Sequence, residues 1–198
     1  MKLILISSLI LIFAGCSYNV QLDRTEKQTL LRKHLAEWQE FTADGILEAN
    51  FKNFAFRKNI NIKKKPDRWK ITIFDSGIFG MKPQPFLTLE IDSLISIQSQ
   101  TESADIFRPQ NPILLKIIND PSQLLEYEQE IISKEMIIVS ETIQISFSPD
   151  MKITTIEVLP DGQRLEFDFQ DKLKSILIYE DSDLIAKIQI DKITHKKQ

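Results

Sequence analysis

Between residues 22 and 41 the apolar side chains fall three and four apart: Leu31, Leu35, Trp38 and Phe41, with Leu30 and His34 alongside. That spacing predicts an amphipathic helix with a polar back, ending near Gly45, where a left-handed turn is available. Beyond Gly45 the period drops to two. Phe54, Phe56, Ile60 and Ile62 sit on alternate positions, as do Trp69, Ile71 and Ile73, and then Leu87, Leu89 and Ile91. Each run reads as a strand with one apolar and one polar face. Pro66 fixes the turn between the first two, and Ser93 marks a turn before the next strand. Short connections make these strands antiparallel neighbours.

The rhythm breaks over 101–125, where short helical pieces are expected from Asn111 and from Pro121 or Ser122. Strands are expected again over 127–133 and 136–147, followed by a turn at 148–152. A hairpin turning on Asp161 and Gly162 comes next, then strands over 173–180 and 184–194. About nine to eleven strands with so few helices cannot stay flat and uncovered. The expected fold is mainly β with some α: a strongly curved antiparallel sheet forming an incomplete barrel. An N-terminal helix and a helical lid segment complete it.

One stretch contradicts its own pattern. "DSGIFGMKPQPF", residues 75–86, has the glycines and prolines of a loop yet carries Ile78, Phe79, Met81 and Phe86. Apolar side chains clustered on a loop either fold back under the barrel rim or mark an interaction surface for membrane, cargo or protein. The inward residues of the flanking strands, Phe54, Phe56, Trp69, Ile71, Ile73, Leu87 and Leu89 with Phe86, are the candidate lining of an apolar cavity.

Composition narrows the classes. The 198 residues are 42% hydrophobic and 27% charged, a globular balance with room for one domain and a short leader. A net charge of -3 does not suit a bulk nucleic-acid binder. The basic cluster Lys63, Lys64, Lys65, Arg68 and Lys70 reads as a solvated strand end or a contact for anionic headgroups. The start, "MKLILISSLILIFAGCS", has one cation and an apolar run too short to span a bilayer as a helix, so it reads as a secretion signal. Its "FAGC" resembles a bacterial lipobox, with Phe13 where leucine is favoured. That predicts a signal peptide over 1–15, lipid on Cys16, a lipidated linker over 16–21 and a single domain over 22–198. Cys16 is the only cysteine, which rules out an intramolecular disulfide. Ser17, where aspartate would signal inner-membrane retention, leans towards an outer-membrane anchor facing the periplasm.

Catalytic chemistry is thin. His34 on the helix and His195 in the tail have no metal-ligand spacing, and no nucleophile elbow or glycine-rich phosphate loop occurs. Glu166 and Asp168 read as the outward face of a strand. No enzyme, metal or cofactor is expected.

The span "ADGILEANF…FAFRKNINIKKKPDRWKITIFDSGIFGMKPQPFLTLEI" resembles the first strands of the lipoprotein-localisation proteins LolA and LolB. The likeness includes the turn Lys65-Pro66-Asp67-Arg68 and the apolar loop. "ISFSPDMKITTIEVLPDGQRLEFDF" is similar to their late hairpins, so the resemblance covers roughly 22–193. It implies an incomplete β-barrel whose concave apolar face, closed by a helical lid, holds acyl chains of lipid or lipoprotein. The lipobox favours the LolB side: a monomeric, membrane-anchored acceptor that receives cargo from a periplasmic carrier protein. In LolB the corresponding loop carries a protruding leucine; here Ile78, Phe79 and Met81 occupy it. The alternative is an envelope lipoprotein using the same fold as a protein-binding scaffold without lipid transfer.

Overall fold

The computed structural model describes residues 22–51, 54–75, 82–92, 95–99, 105–107 and 111–196. Helix α1 (Arg24–Glu37) starts with a capping box: the Glu26 amide donates to the Asp23 carboxylate at 2.8 Å, and the Asp23 amide donates to Glu26 at 2.9 Å. It buries Leu31, His34 and Leu35. The helix is capped at Trp38, so Phe41 does not continue its stripe. Phe41 instead opens strand β1 (Phe41–Phe51), where alternation places it beside Ala43 on the buried face. Gly45 is likewise inside β1 rather than at a helix end, at a register shift against the last strand. A Cβ there would lie 2.1 Å from the carbonyl oxygen of Gln189, so close backbone approach is what requires glycine.

The remaining strands of the first half are β2 (Phe54–Lys65), β3 (Arg68–Phe74), β4 (Pro85–Ile91), β5 (Ile95–Ser99) and β6 (Asp105–Phe107). Helix α2 (Pro112–Asn119) follows, capped by the Asn111 side chain, and then a 3-10 helix over Pro121–Tyr127. Helix α3 (Glu128–Lys134) replaces the strand expected over 127–133. Its residues obey a helical spacing: Glu128, Ile131 and Ile132 are buried, alongside Leu124 of the 3-10 helix. Glu128 turns its carboxylate to α1, accepting from Arg32 Nε and Gln28 Nε2, each at 2.8 Å.

The strand expected over 136–147 is two strands, β7 (Met136–Val139) and β8 (Ile143–Phe147). A tight turn divides them, with Ser140 and Glu141 at φ of 50° and 61°. Two successive left-handed residues match the twist of a hairpin. Then come β9 (Ile153–Val158), β10 (Gln163–Phe169), β11 (Leu173–Glu180) and β12 (Asp183–His195).

The twelve strands among the described residues form one antiparallel sheet, ordered β6-β5-β4-β3-β2-β1-β12-β11-β10-β9-β8-β7, with β6 and β7 as its outermost described strands. The first and last strands of the chain's main run, β1 and β12, pair in the middle. The helices pack on one face. Two apolar clusters result: one joins α1, α2, the 3-10 helix and α3 to β7–β9, and the other joins β1–β3 to β11 and β12.

Candidate functional site: an apolar cavity under the helices

The two clusters do not merge completely. Between them lies a cavity of about 280 Å³ whose lining side chains are all hydrocarbon or aromatic. One wall comes from β3 and β4, through Trp69, Ile71 and Ile91; the opposite wall comes from β9–β12, including Leu165, Phe167, Ile178 and Ile188. Trp38, Ile117, Ile118 and Pro121 form the helical side. In a flat sheet β4 and β9 would stand roughly 34 Å apart, at about 4.8 Å per strand. Their sharing one small cavity shows that the sheet curls strongly around it.

Aromatic rings bridge the same gap. Trp69 meets Phe41 edge to face at 5.5 Å, Phe41 meets Trp38 at 5.6 Å, and Trp38 meets Phe167 at 5.2 Å. Such T-shaped pairs match ring edge to ring face and hold centroids at fixed spacing. The chain of rings connects β3 to β10 through β1 and the end of α1.

The end of α2 over the cavity is tied to the sheet by polar contacts. Lys64 on β2 is 1% exposed, and its ammonium donates to the carbonyls of Lys65 and of Asn119, the latter at 2.7 Å. It also lies 5.7 Å from the Trp69 ring centroid. Trp69 Nε1 donates to the Ile118 carbonyl at 3.3 Å, and Asn119 Nδ2 donates to the Asp92 carbonyl at 2.7 Å. A cation at the carbonyl end of a helix complements its dipole. Burial nevertheless pushes the Lys64 ammonium down to about 8, against the pull of Asp120 and Asp67.

The sequence-predicted residues divide into several places. Trp69 and Ile71 line the cavity. Ile73 is buried in the adjoining core, Leu87 packs against that core, and Leu89 faces the same side because it pairs with Ile71. Phe86 is a correction: it is 51% exposed, with Lys58 Nζ 6.0 Å from its ring, because alternation that turns Leu87 inward turns its neighbour away. Phe56 is a second correction; it lines a separate shallow hollow with Leu184 and Ala186. The Phe54 backbone pairs with Phe51, and its side chain lies outside what is described. Cys16, Ile78, Phe79 and Met81 also lie outside the described residues.

Sequence reasoning missed most of the far wall. The alternation of Leu165 and Phe167 against Glu166 and Asp168 was its signal, but period alone does not say which face is inner. It also missed that the two histidines share a pocket. His34 and His195 line one polar pocket of about 340 Å³ beside Trp38, and His195 Nδ1 lies 2.9 Å from the Glu37 carbonyl oxygen. Burial lowers the His34 pKa, favouring the neutral ring, despite a hydrogen bond to the Met151 backbone. Among the described residues there is no group of three His, Cys, Asp or Glu able to hold a metal ion. Among the same residues no helix is long and apolar enough to cross a membrane.

No protein-family model matches the chain, and no curated protein matches it. Solved structures do show similarity. The chain is similar to the crystal structure of a LolA superfamily protein from Nitrosomonas europaea, at 7% identity and a TM-score of 0.46, over 87% of this chain and 94% of that one. It is also similar to the crystal structure of MucB in complex with MucA(peri), at 12% identity and a TM-score of 0.32. That match covers 88% of this chain and 56% of the other, so this chain spans just over half of its length.

Proposed function

We propose that this protein is a lipid-anchored envelope protein that binds acyl chains of lipid or lipoprotein in the cavity under its helices and passes them to a membrane. The observation that carries this reading is the all-apolar cavity of about 280 Å³ between the curled sheet and the helical layer. A hollow without a single polar lining side chain offers nothing to a polar substrate and suits hydrocarbon. Its volume sits near the lower end of ligand pockets, roughly 300 Å³, so it takes part of one chain with the helices as they stand. Displacing α2 would enlarge it, and α2 is short, with its polar ties to the sheet, through Ile118 and Asn119, at one end.

The remaining parts of the reading rest on sequence. Cys16 supplies the lipid anchor, placing the protein at the outer membrane facing the periplasm. Ile78, Phe79 and Met81 supply an apolar contact for membrane or cargo, each buried large side chain adding roughly 1.5–3 kcal/mol to partition into lipid. The test uses residues 16–198 with Cys16→Ser, a chain that retains every described element. Saturable binding of a fluorescent fatty acid is the expected result. Absence of saturable binding by a folded sample overturns the reading and leaves the scaffold alternative.

A further inference from the structure

The apolar cavity has a polar neighbour, and the two share one lining side chain. Trp38 lines both the cavity and the pocket of about 340 Å³ that holds the two histidines. Its ring packs edge-on against Phe41, which faces the pocket, and against Phe167, which faces the cavity.

The charges of that pocket are mixed and balanced. It presents the ammonium groups of Lys33, Lys152 and Lys172 with the carboxylates of Glu37, Asp150 and Asp171. Two of these sets are loosely or internally matched: Lys152 meets Asp150 at 2.8 Å and Lys33 meets Glu37 at 4.0 Å. A simple anion entering there meets as many like charges as opposite ones. A group carrying both signs a few ångströms apart meets partners for each. Lys33 and Lys172 are exposed and can turn towards a phosphate, Lys33 by leaving its 4.0 Å pairing with Glu37, while Glu37 and Asp171 suit an ammonium.

His34 also borders the pocket; it is only 9% exposed, and its Nδ1 is closed off from solvent without a hydrogen-bond partner. Phe169, already 5.5 Å from Lys152 Nζ, adds an aromatic face of the kind that attracts cations.

We propose that the pocket beside Trp38 is the headgroup site for a zwitterionic phospholipid, of the phosphatidylethanolamine type, whose acyl chain passes Trp38 into the apolar cavity. This rests on the acyl-binding reading above and names the ligand class for it.

The experiment measures displacement of the neutral apolar probe N-phenyl-1-naphthylamine from residues 16–198 carrying Cys16→Ser. Competitors are the dioctanoyl forms of phosphatidylethanolamine, phosphatidylglycerol and diacylglycerol, each below its micelle concentration. Phosphatidylethanolamine is expected to displace the probe at about tenfold lower concentration than either of the others, the factor one well-placed charge-assisted hydrogen bond supplies. Lys33→Ala with Lys172→Ala, both at exposed positions, is expected to bring phosphatidylethanolamine to the diacylglycerol level without changing probe affinity. Equal displacement by all three lipids overturns the headgroup site and leaves the acyl cavity standing. Stronger displacement by phosphatidylglycerol also overturns it, in favour of a simple anion site. If the probe itself does not bind, the acyl-binding reading fails and the headgroup site falls with it.

Discussion

The ammonium of Lys64 donates to the carbonyl of Asn119 at 2.7 Å, joining a buried cation on β2 to the last residue of α2. This contact ties the helix to the sheet at the place where both border the apolar cavity. Its cost is visible in the Lys64 pKa, which burial lowers to about 8. The folded protein therefore releases this proton before the unfolded chain does. Between about pH 8 and the ordinary lysine value near 10.4, the unfolded state binds more protons, so folding stability from this group rises with pH. Below about pH 8 both states are charged and the burial penalty is fully present. Urea unfolding of wild type and Lys64→Met across pH 7 to 10 checks this. The difference between them is expected to move in favour of wild type as pH rises through 8, and a constant difference would contradict it.

The opposite sign holds for Glu128. Hydrogen bonding from Arg32 is the largest cause of its lowered pKa, with Gln28 adding to it against desolvation. Its contribution is present above the ordinary carboxylate pKa and is lost as pH falls through the folded value. Glu128→Gln is expected to cost about 1–3 kcal/mol at neutral pH, by weakening hydrogen bonds to a charged group. That cost should shrink in acid, as followed by the urea midpoint at pH 7 and pH 3.

Gly45→Ala places a methyl group 2.1 Å from the Gln189 carbonyl oxygen, in the central pair β1–β12. Backbone has to move, and a loss of about 2–3 kcal/mol is expected from overpacking. Thermal unfolding measures it; an unchanged midpoint would show that the bulge adapts freely.

Much of this architecture was legible from period alone. The alternation of Ile60, Ile62, Ile71 and Ile73 is the register by which β2 and β3 pair, and Asn111 and Pro121 do begin helices. Two readings failed for identifiable reasons. Ile137, Val139, Ile143 and Ile145 keep one parity, interrupted only at Glu141, and the Ser140–Glu141 turn lacks the glycine or asparagine that usually announces a hairpin. In 128–134 the short apolar run Ile131-Ile132 fits helix or strand, and the contacts that accompany the helix, Ile131 in the core and Glu128 with Arg32 across 96 positions, are long-range. The cavity's far wall depends on curling of the sheet, and the pocket shared by His34 and His195 on the pairing of β1 with β12; both bring together residues that no local window contains.

Phe79→Glu together with Met81→Glu tests the loop role proposed from sequence. In a protein that folds and binds acyl chains normally, sorting of envelope lipoproteins is expected to fall. Unchanged sorting would mean that the loop serves packing alone.

The central claim is that hydrocarbon binds between β3 and β11, beneath the helices. Ile71→Trp and Ile178→Trp each project an indole into that space from opposite walls, at half-buried positions. Fluorescent fatty-acid titration of the two variants beside the parent measures the claim most directly. Binding by the parent that is lost in both folded variants is the predicted result; binding that persists undiminished in both would contradict the cavity as the site.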